Sequence, residues 1–317
     1  GEILARYQNR FHHILIDEFQ DSSRVMVELV KLLSQTHRNV WLAGDDDQSI
    51  HGFRGARSDI FVSFGKECGP SAKTITMSHN YRSTGKIIRA ANNLISHNNK
   101  RVAKEMMTDN GEGEEIEILE GDNEIAEAEA IAKKILELTD KGYRFDDIAI
   151  LARIYKLMPL IEVALIRQGI PYNSLDGLMY DRQDMKTLMA VMKFLLGNGS
   201  QGAIDLDLLR TVKSDLSMQD KTSSLEDAFD IASSYALSGP KVAFLDEEAF
   251  VIRRFYLNST GDLLHDYHTL SEFLDHVEEA RRINAHSPTG RVNLMTIHQA
   301  KGLEFKCVIV PGLNEGI

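Results

Sequence analysis

Cysteine is nearly absent: Cys68 and Cys307 are the two in 317 residues. A disulfide framework is therefore not expected, no cysteine pair has metal-ligand spacing, and a reducing cytoplasm is the default setting. Long apolar runs are lacking as well. None approaches the ~20 residues of a membrane span, and the first residues carry no basic-then-apolar signal segment. Positive charge is scarce, with 36 Lys and Arg against 47 Asp and Glu, for a formal charge of −11. That balance argues against a protein that coats nucleic acid through bulk electrostatics, while leaving room for a local channel. Much of the acid lies in "TDNGEGEEIEILEGDNEIAEAEA" (Thr108 to Ala130), which reads as a solvated face and turn region. No internal repeat or low-complexity segment is visible.

What remains is an ordinary globular composition, 43% apolar and 26% charged, over a length that suits about two domains. The opening reads as strand, helix, strand. "HILID" (His13 to Asp17) is a short apolar run ending in acid. "DSSRVMVELVKLLSQ" follows as a helix, with Ser22 or Ser23 as N-cap and Val25, Leu29, Leu32 and Leu33 on one face. "NVWLAG" is a second buried strand, and a helical crossover between two such strands predicts a parallel α/β sheet. Further on, Glu124 to Leu138 is expected to be helical and "DDIAILAR" (Asp146 to Arg153) a buried strand. "LMPLIEVALIRQGIPY" is a helix stopped by Gly169 with Pro171 beyond. From about Arg182 to Ser287 helical patterns such as "RQDMKTLMAVMKFLLG" and "TLSEFLDHVEEARRIN" dominate. Strand character returns in "RVNLMTI" and "FKCVIVPGL", so the helical stretch is expected to be inserted into a second α/β domain.

Two of the strands end in chemistry, "IDEFQD" at Asp17 to Asp21 and "GDDDQS" at Gly44 to Ser49. In open parallel sheets, ligands bind beyond the carboxyl ends of the strands. An Asp directly after such a strand can hold Mg²⁺, a neighbouring Glu can orient the attacking water, and a Gln on the next strand end can reach a γ-phosphate. Either cluster alone reads equally well as a capped turn; both on one edge favour chemistry. With these two, "HNYRST" and "MTIHQAKGLEF" stand in the order and form found in the UvrD/Rep/PcrA-type superfamily I DNA helicases. "IPYNSLDGLMYDRQDMKTLMAVMKFL" is similar to the family segment that leads into an inserted helical subdomain. The resemblance covers most of the chain and is thin between about Leu196 and Ser287.

The resemblance implies roles residue by residue. Asp17 would ligate Mg²⁺, Glu18 would activate the hydrolytic water and Gln48 would sense the γ-phosphate of ATP. Tyr81 would stack on adenine, Arg82 would reach the γ-phosphate across a domain interface, and Glu304 would contact the ribose. An arginine suits its task because its planar, permanently charged fork stabilises developing phosphate charge. On the nucleic-acid side, Phe53 would stack on a base of single-stranded DNA, a contact that tolerates any sequence. Arg54 follows it, and Thr296 and His298 match positions that touch the DNA backbone. The plainer alternatives are that Phe53 is a core aromatic and that Arg54 and Arg57 pair with nearby acids. His51 stands where the family usually has tyrosine. "HDYH" (His265 to His268), with His276, has helical spacing that would suit a metal, but no carboxylate or cysteine cluster completes a site, so a solvated helix is expected.

The chain lacks a G-x-x-x-x-G-K-S/T phosphate loop; "STGKI" (Ser83 to Ile87) comes closest. The family places that loop upstream of "DEFQD", and its last arginine-bearing motif downstream of "GLNEGI". The expectation is therefore an internal piece of a helicase with RecA-like (P-loop NTPase type) parallel sheets, poor at ATP turnover by itself. Residues 1–66 would be the later part of a first RecA-like domain. Residues 67–182 and 289–317 would form most of a second, and 183–288 an inserted helical subdomain. Expected cofactors are ATP and Mg²⁺. Expected partners are single-stranded DNA, single/double-strand junctions and unidentified repair or recombination proteins, with no membrane. Two alternatives stand beside this reading: a non-hydrolysing truncated relative that holds DNA or a partner, and part of a helicase–nuclease subunit.

Overall fold

The computed structural model describes residues 1–50, 52, 64, 72–99, 101–174, 177–196, 225–238, 260–261, 264, 266–287 and 290–314. They form two compact units, Gly1–Ile118 and Leu119–Ile317.

In the first unit α1 (Glu2–Arg10) leads into β1 (Ile14–Ile16), α2 (Arg24–Ser34) and β2 (Val40–Leu42). The strands pair in parallel, Ile14 opposite Val40 and Ile16 opposite Leu42, with α2 as the crossover that parallel pairing requires. Ser23 is the N-cap of α2, its hydroxyl accepting from the Met26 N–H at 3.4 Å. The face that α2 buries differs from the expected one. Val27 and Val30 pack with Phe19, Phe64 and the inward strand residues, whereas Val25 is 78%, Leu29 53% and Leu32 48% exposed. This helix is apolar on two faces, and periodicity gives the phase of each without saying which one meets the sheet. Helix α1, which the sequence reading did not expect, buries no residue although Ile3, Tyr7 and Phe11 recur at helical spacing.

The rest of this unit is organised around α3 (Gly85–Ile95). The Asn92 side chain grips Met106 twice, donating to its carbonyl at 2.9 Å and accepting from its N–H at 3.2 Å. Met107 then forms a parallel bridge with His79. The segment before α3 is thus tied to the segment that follows it.

The second unit holds a four-stranded parallel sheet made of β3 (Ile148–Ala152), β4 (Tyr172–Ser174), β5 (Val292–Thr296) and β6 (Cys307–Ile309), in the order β4-β5-β3-β6. Helix α4 (Glu124–Asp140) starts on Asn123, whose side chain accepts from the Ile125 and Ala126 N–H groups, and buries Ala128, Ile131, Ala132 and Ile135. Helix α5 (Met158–Arg167) ends as the sequence predicts. Gly169 takes φ +62°, the Ile170 N–H donates to the Leu165 carbonyl at 2.9 Å, and the Gly169 N–H donates to the Ile166 carbonyl at 3.0 Å. This is a Schellman stop, which favours glycine because no Cβ opposes the left-handed backbone.

Strands β4 and β5 are neighbours in the sheet although residues 175–291 separate them. That interval contains α6 (Gln183–Leu195), α7 (Leu225–Ser238) and α8 (Leu270–His286). Thr269 and Glu272 form a reciprocal capping box at the start of α8. One buried cluster runs without a break from Ile135 and Ile150 to Phe273 and Val277, so these helices and the sheet share a core. Among the described residues, no helix is long and apolar enough to cross a membrane.

That core contains a buried acid, Glu162, which accepts from the Tyr172 hydroxyl at 2.7 Å; the same hydroxyl accepts from the Met179 N–H at 3.2 Å. Tyr172→Phe would remove both bonds with almost no change in shape. The expected cost is about 1–3 kcal/mol, since two buried polar groups each lose that partner. Denaturant unfolding followed by far-UV circular dichroism measures it, and an unchanged midpoint would contradict the assignment.

Candidate nucleotide and nucleic-acid site

Asp17 and Glu18 follow β1 directly, and both side chains stand exposed at the carboxyl end of the sheet. The chain turns sharply there. Glu18 sits at φ 51°, a left-handed conformation that costs a non-glycine residue about 1–3 kcal/mol and gathers at functional sites. Its N–H donates to Asp17 Oδ1 at 2.9 Å. The next residue, Phe19, anchors the turn: it is buried, its ring meets Phe64 edge-on at 5.3 Å, and its N–H donates to the Ala43 carbonyl. That last bond ties the turn after β1 to the end of β2.

Beyond β2, Asp46–Gln48 form a single 3-10 turn capped by Asp45, whose side chain accepts from the Asp47 N–H at 3.0 Å. Gln48 donates from Nε2 to Asp45 Oδ2 at 2.9 Å. Gln20, fully buried, lies between the two strand ends. It donates to Glu18 Oε2 at 2.6 Å and accepts from the Asp45 N–H at 3.0 Å. Asp17, Glu18 and Gln48, expected together from sequence, are therefore brought to adjacent strand ends and joined by a residue to which the sequence reading gave no role. Its place in "DEFQD", between Phe19 and Asp21, carries no mark of its burial or of its distant partner Asp45.

The three aspartates of "GDDDQS" prove to have an internal partner. Lys104 Nζ lies 2.6 Å from Asp45, 3.0 Å from Asp46 and 2.9 Å from Asp47. Arg101 forks onto Asp47 with bonds of 2.8 and 2.6 Å, and the Val102 N–H donates to Asp46 at 2.6 Å. The Arg101 guanidinium, with Lys104 beside it, holds the Asp47 carboxyl below the usual carboxylate range against the opposing effect of burial. Burial by itself would push Lys104 down, but its hydrogen bonds to Asp45, Asp47 and Asp46 outweigh that and raise it. Among the described residues these aspartates are the one group of three side chains close enough to share a metal ion. With an ammonium already among their oxygens, they are a poor metal site; their charge is used to hold residues 101–104.

Tyr81 and Arg82 occupy the loop that enters α3. Asn80 Oδ1 accepts from the Arg82 N–H at 3.0 Å and the Ser83 N–H at 2.7 Å, an Asx turn that fixes the loop. The Tyr81 ring is 78% exposed with one side toward His79, the centroids 4.4 Å apart. A rigid backbone with a free aromatic face suits stacking on a planar ligand.

In the second unit, Thr296 ends β5 and is buried. Its N–H donates to Gln299 Oε1 at 2.8 Å, and its hydroxyl accepts from the Gln299 N–H at 3.3 Å. Gln299 also donates to the Tyr155 hydroxyl. The Thr296 side chain thus shapes the turn that presents half-buried His298, while Glu304 lies exposed before β6. Phe53, Arg54, Arg57, His51 and His265 lie outside the described residues.

Parallel strands ending in an acid pair and a glutamine, with an aromatic–arginine loop in the same unit, form an α/β arrangement of the kind that binds ligands beyond its strand ends. Comparison with known proteins narrows the class. A model of the UvrD/REP helicase N-terminal domain matches residues 1–69, and a model of the UvrD-like helicase C-terminal domain matches 75–223 and 206–317. The chain belongs to the UvrD-like helicase family. It is 30% identical to DNA helicase II of Haemophilus influenzae over 99% of this chain and 51% of that protein. It is likewise 30% identical to ATP-dependent DNA helicase PcrA of Bacillus subtilis over 100% and 51%, and 29% identical to DNA helicase II of Escherichia coli over 99% and 52%. The chain spans about half the length of the curated relatives it matches.

Proposed function

We propose that this chain supplies the hydrolytic strand ends and part of the DNA path of an ATP-dependent DNA helicase, coupling ATP hydrolysis to 3′-to-5′ movement along single-stranded DNA. The observation that carries this is the convergence of Asp17, Glu18 and Gln48 at the ends of two paired parallel strands, linked through Gln20 and Asp45. Asp17 fits Mg²⁺: it is an exposed hard-oxygen ligand, with one oxygen engaged by a neighbouring N–H. A bound Mg²⁺ would neutralise charge on the β- and γ-phosphates. Glu18 orients and deprotonates the attacking water, Gln48 meets the γ-phosphate, and Arg82 offsets its developing charge. Tyr81 stacks on adenine and Glu304 meets the ribose. Phe53 and Arg54, with Thr296 and His298, hold single-stranded DNA, at junctions with duplex as well. The same proposal assigns residues 1–66 to a first RecA-like domain, 67–182 and 289–317 to a second, and 183–288 to an inserted helical subdomain. It places the protein in the cytoplasm, in DNA repair, replication or recombination.

ATP hydrolysis by the full-length polypeptide, with and without single-stranded DNA, tests the proposal. Turnover that rises on adding DNA is the expected result. Equal rates in both conditions would overturn the coupling, and no turnover of MgATP in either would favour a DNA- or partner-binding role instead.

A further inference from the structure

Gln20 has no exposed surface, and both ends of its amide are used. Its orientation follows from its neighbours. The Asp45 N–H can only donate, so the group 3.0 Å from it must be the carbonyl oxygen Oε1. The opposite end then points its NH₂ at Glu18 Oε2, 2.6 Å away, where a carboxylate can accept. A flipped amide would set donor against donor on one side and acceptor against acceptor on the other. The network therefore specifies this orientation without reference to hydrogen positions.

The connection does not stop at Asp45. The residue whose N–H Gln20 receives is the one whose carboxylate holds Gln48, at 2.9 Å, and the Lys104 ammonium, at 2.6 Å. A continuous path of hydrogen bonds thus runs from the Glu18 carboxylate through the Gln20 amide to Asp45 and on to the Gln48 side chain. The two ends of that path are the proposed water-activating group and the proposed γ-phosphate sensor. Gln20 is one tether on the Glu18 side chain. Glu18 follows the strand, stands exposed, and has a left-handed backbone that does not by itself fix the direction of a side chain with three rotatable bonds. Asp17 Oδ1 accepts from the Glu18 backbone N–H and does not engage the Glu18 carboxylate in that bond.

We propose that Gln20 is a positioning residue for hydrolysis: it fixes the Glu18 carboxylate relative to the Gln48 loop, so that water activation and phosphate sensing share one geometry. The proposal rests on the reading of Glu18 as the residue that activates water. Displacing a reacting group by about 1 Å can cost about 10²-fold in rate without weakening substrate binding.

Two variants of the full-length polypeptide separate positioning from folding. Gln20→Met keeps the volume and removes both bonds. Gln20→Glu keeps the shape and an acceptor for the Asp45 N–H, and replaces the donor to Glu18 by a carboxyl that either repels the Glu18 carboxylate or shares one proton with it. Single-turnover hydrolysis of MgATP, KM, the affinity for a fluorescent ATP analogue with Mg²⁺, and the unfolding temperature are measured for each. The expected result is a kcat lower by about 10²-fold in both, with KM and analogue affinity unchanged. In the double variant Glu18→Gln/Gln20→Met, kcat should fall no further than in Glu18→Gln, because residues that act as a unit are not additive. Wild-type kcat in Gln20→Met would overturn the inference. So would kcat, affinity and unfolding temperature falling together in both variants, or a Gln20→Met effect that persists in full on the Glu18→Gln background. Hydrolysis that survives Glu18→Gln alone is a different failure. It would overturn the role given to Glu18, and it is read before any Gln20 variant is interpreted.

Discussion

Glu18→Gln is expected to slow DNA-stimulated ATP hydrolysis by the full-length polypeptide about 10²- to 10⁴-fold, the range that a positioned general base contributes. The substitution is nearly isosteric and keeps an oxygen for the Gln20 NH₂, so the turn Phe19–Asp21 and the strand pairing should persist. What changes is the capacity to take a proton from water. MgATP should therefore still bind, because Asp17 and Gln48 are untouched, and the loss should appear in kcat and not in KM. Single-turnover hydrolysis alongside nucleotide affinity checks both halves. A KM effect with kcat preserved would mean that Glu18 contributes to binding alone.

The second large effect is on stability. Lys104→Met leaves the carboxylates of Asp45, Asp46 and Asp47 with Arg101 as the remaining cation among their described side-chain partners. Stranding a buried charge costs about 3–5 kcal/mol. The Asp46 side chain is 3% exposed but that of Asp45 is 25%, so about 3 kcal/mol is expected here after screening by water. The loss should be local, read as faster hydrogen exchange of the β1 and β2 amides in the intact chain.

The pH dependence follows from the directions of the shifts. Asp47 has its folded pKa lowered, chiefly by Arg101, so its contribution is present above the unfolded value of ~3.9 and is lost as pH falls through the lowered value. Lys104 has its folded pKa raised, so its contribution is complete below ~10.4 and fades only as pH climbs beyond. The wild-type clasp should hold across the neutral range. The gap between wild type and Lys104→Met should narrow as acid protonates Asp47 and removes that contribution from the wild type. A gap independent of pH would mean that Lys104 acts through packing and not through charge.

Much of this protein was legible in its sequence because the signals are local. Strands β1, β2, β3, β5 and β6 each coincide with a short apolar run. The N-cap of α2, the glycine stop of α5 and the helical stretch before β5 were read from a few adjacent residues. Asp17, Glu18 and Gln48 were named from the family resemblance of two acidic clusters that follow such runs, and the folded chain sets them at one sheet end. Helix α1 escaped although Ile3, Tyr7 and Phe11 recur at helical spacing, because it has no side-chain N-cap to mark its start.

The sequence by itself determined the element types, their order and the residue types offered at the strand ends, since propensity, periodicity and capping act within a turn or two of chain. Only the tertiary structure decided which of two apolar faces α2 turns inward. It also decided that Gln20 bridges Glu18 to Asp45 over 25 residues, and that Lys104 closes on Asp45 from 59 residues away. Charges and amides so far apart leave no mark on each other's neighbours in the chain. Their pairing is chosen when the hydrophobic core brings the segments together, and a buried polar group must then find whatever partner that packing provides.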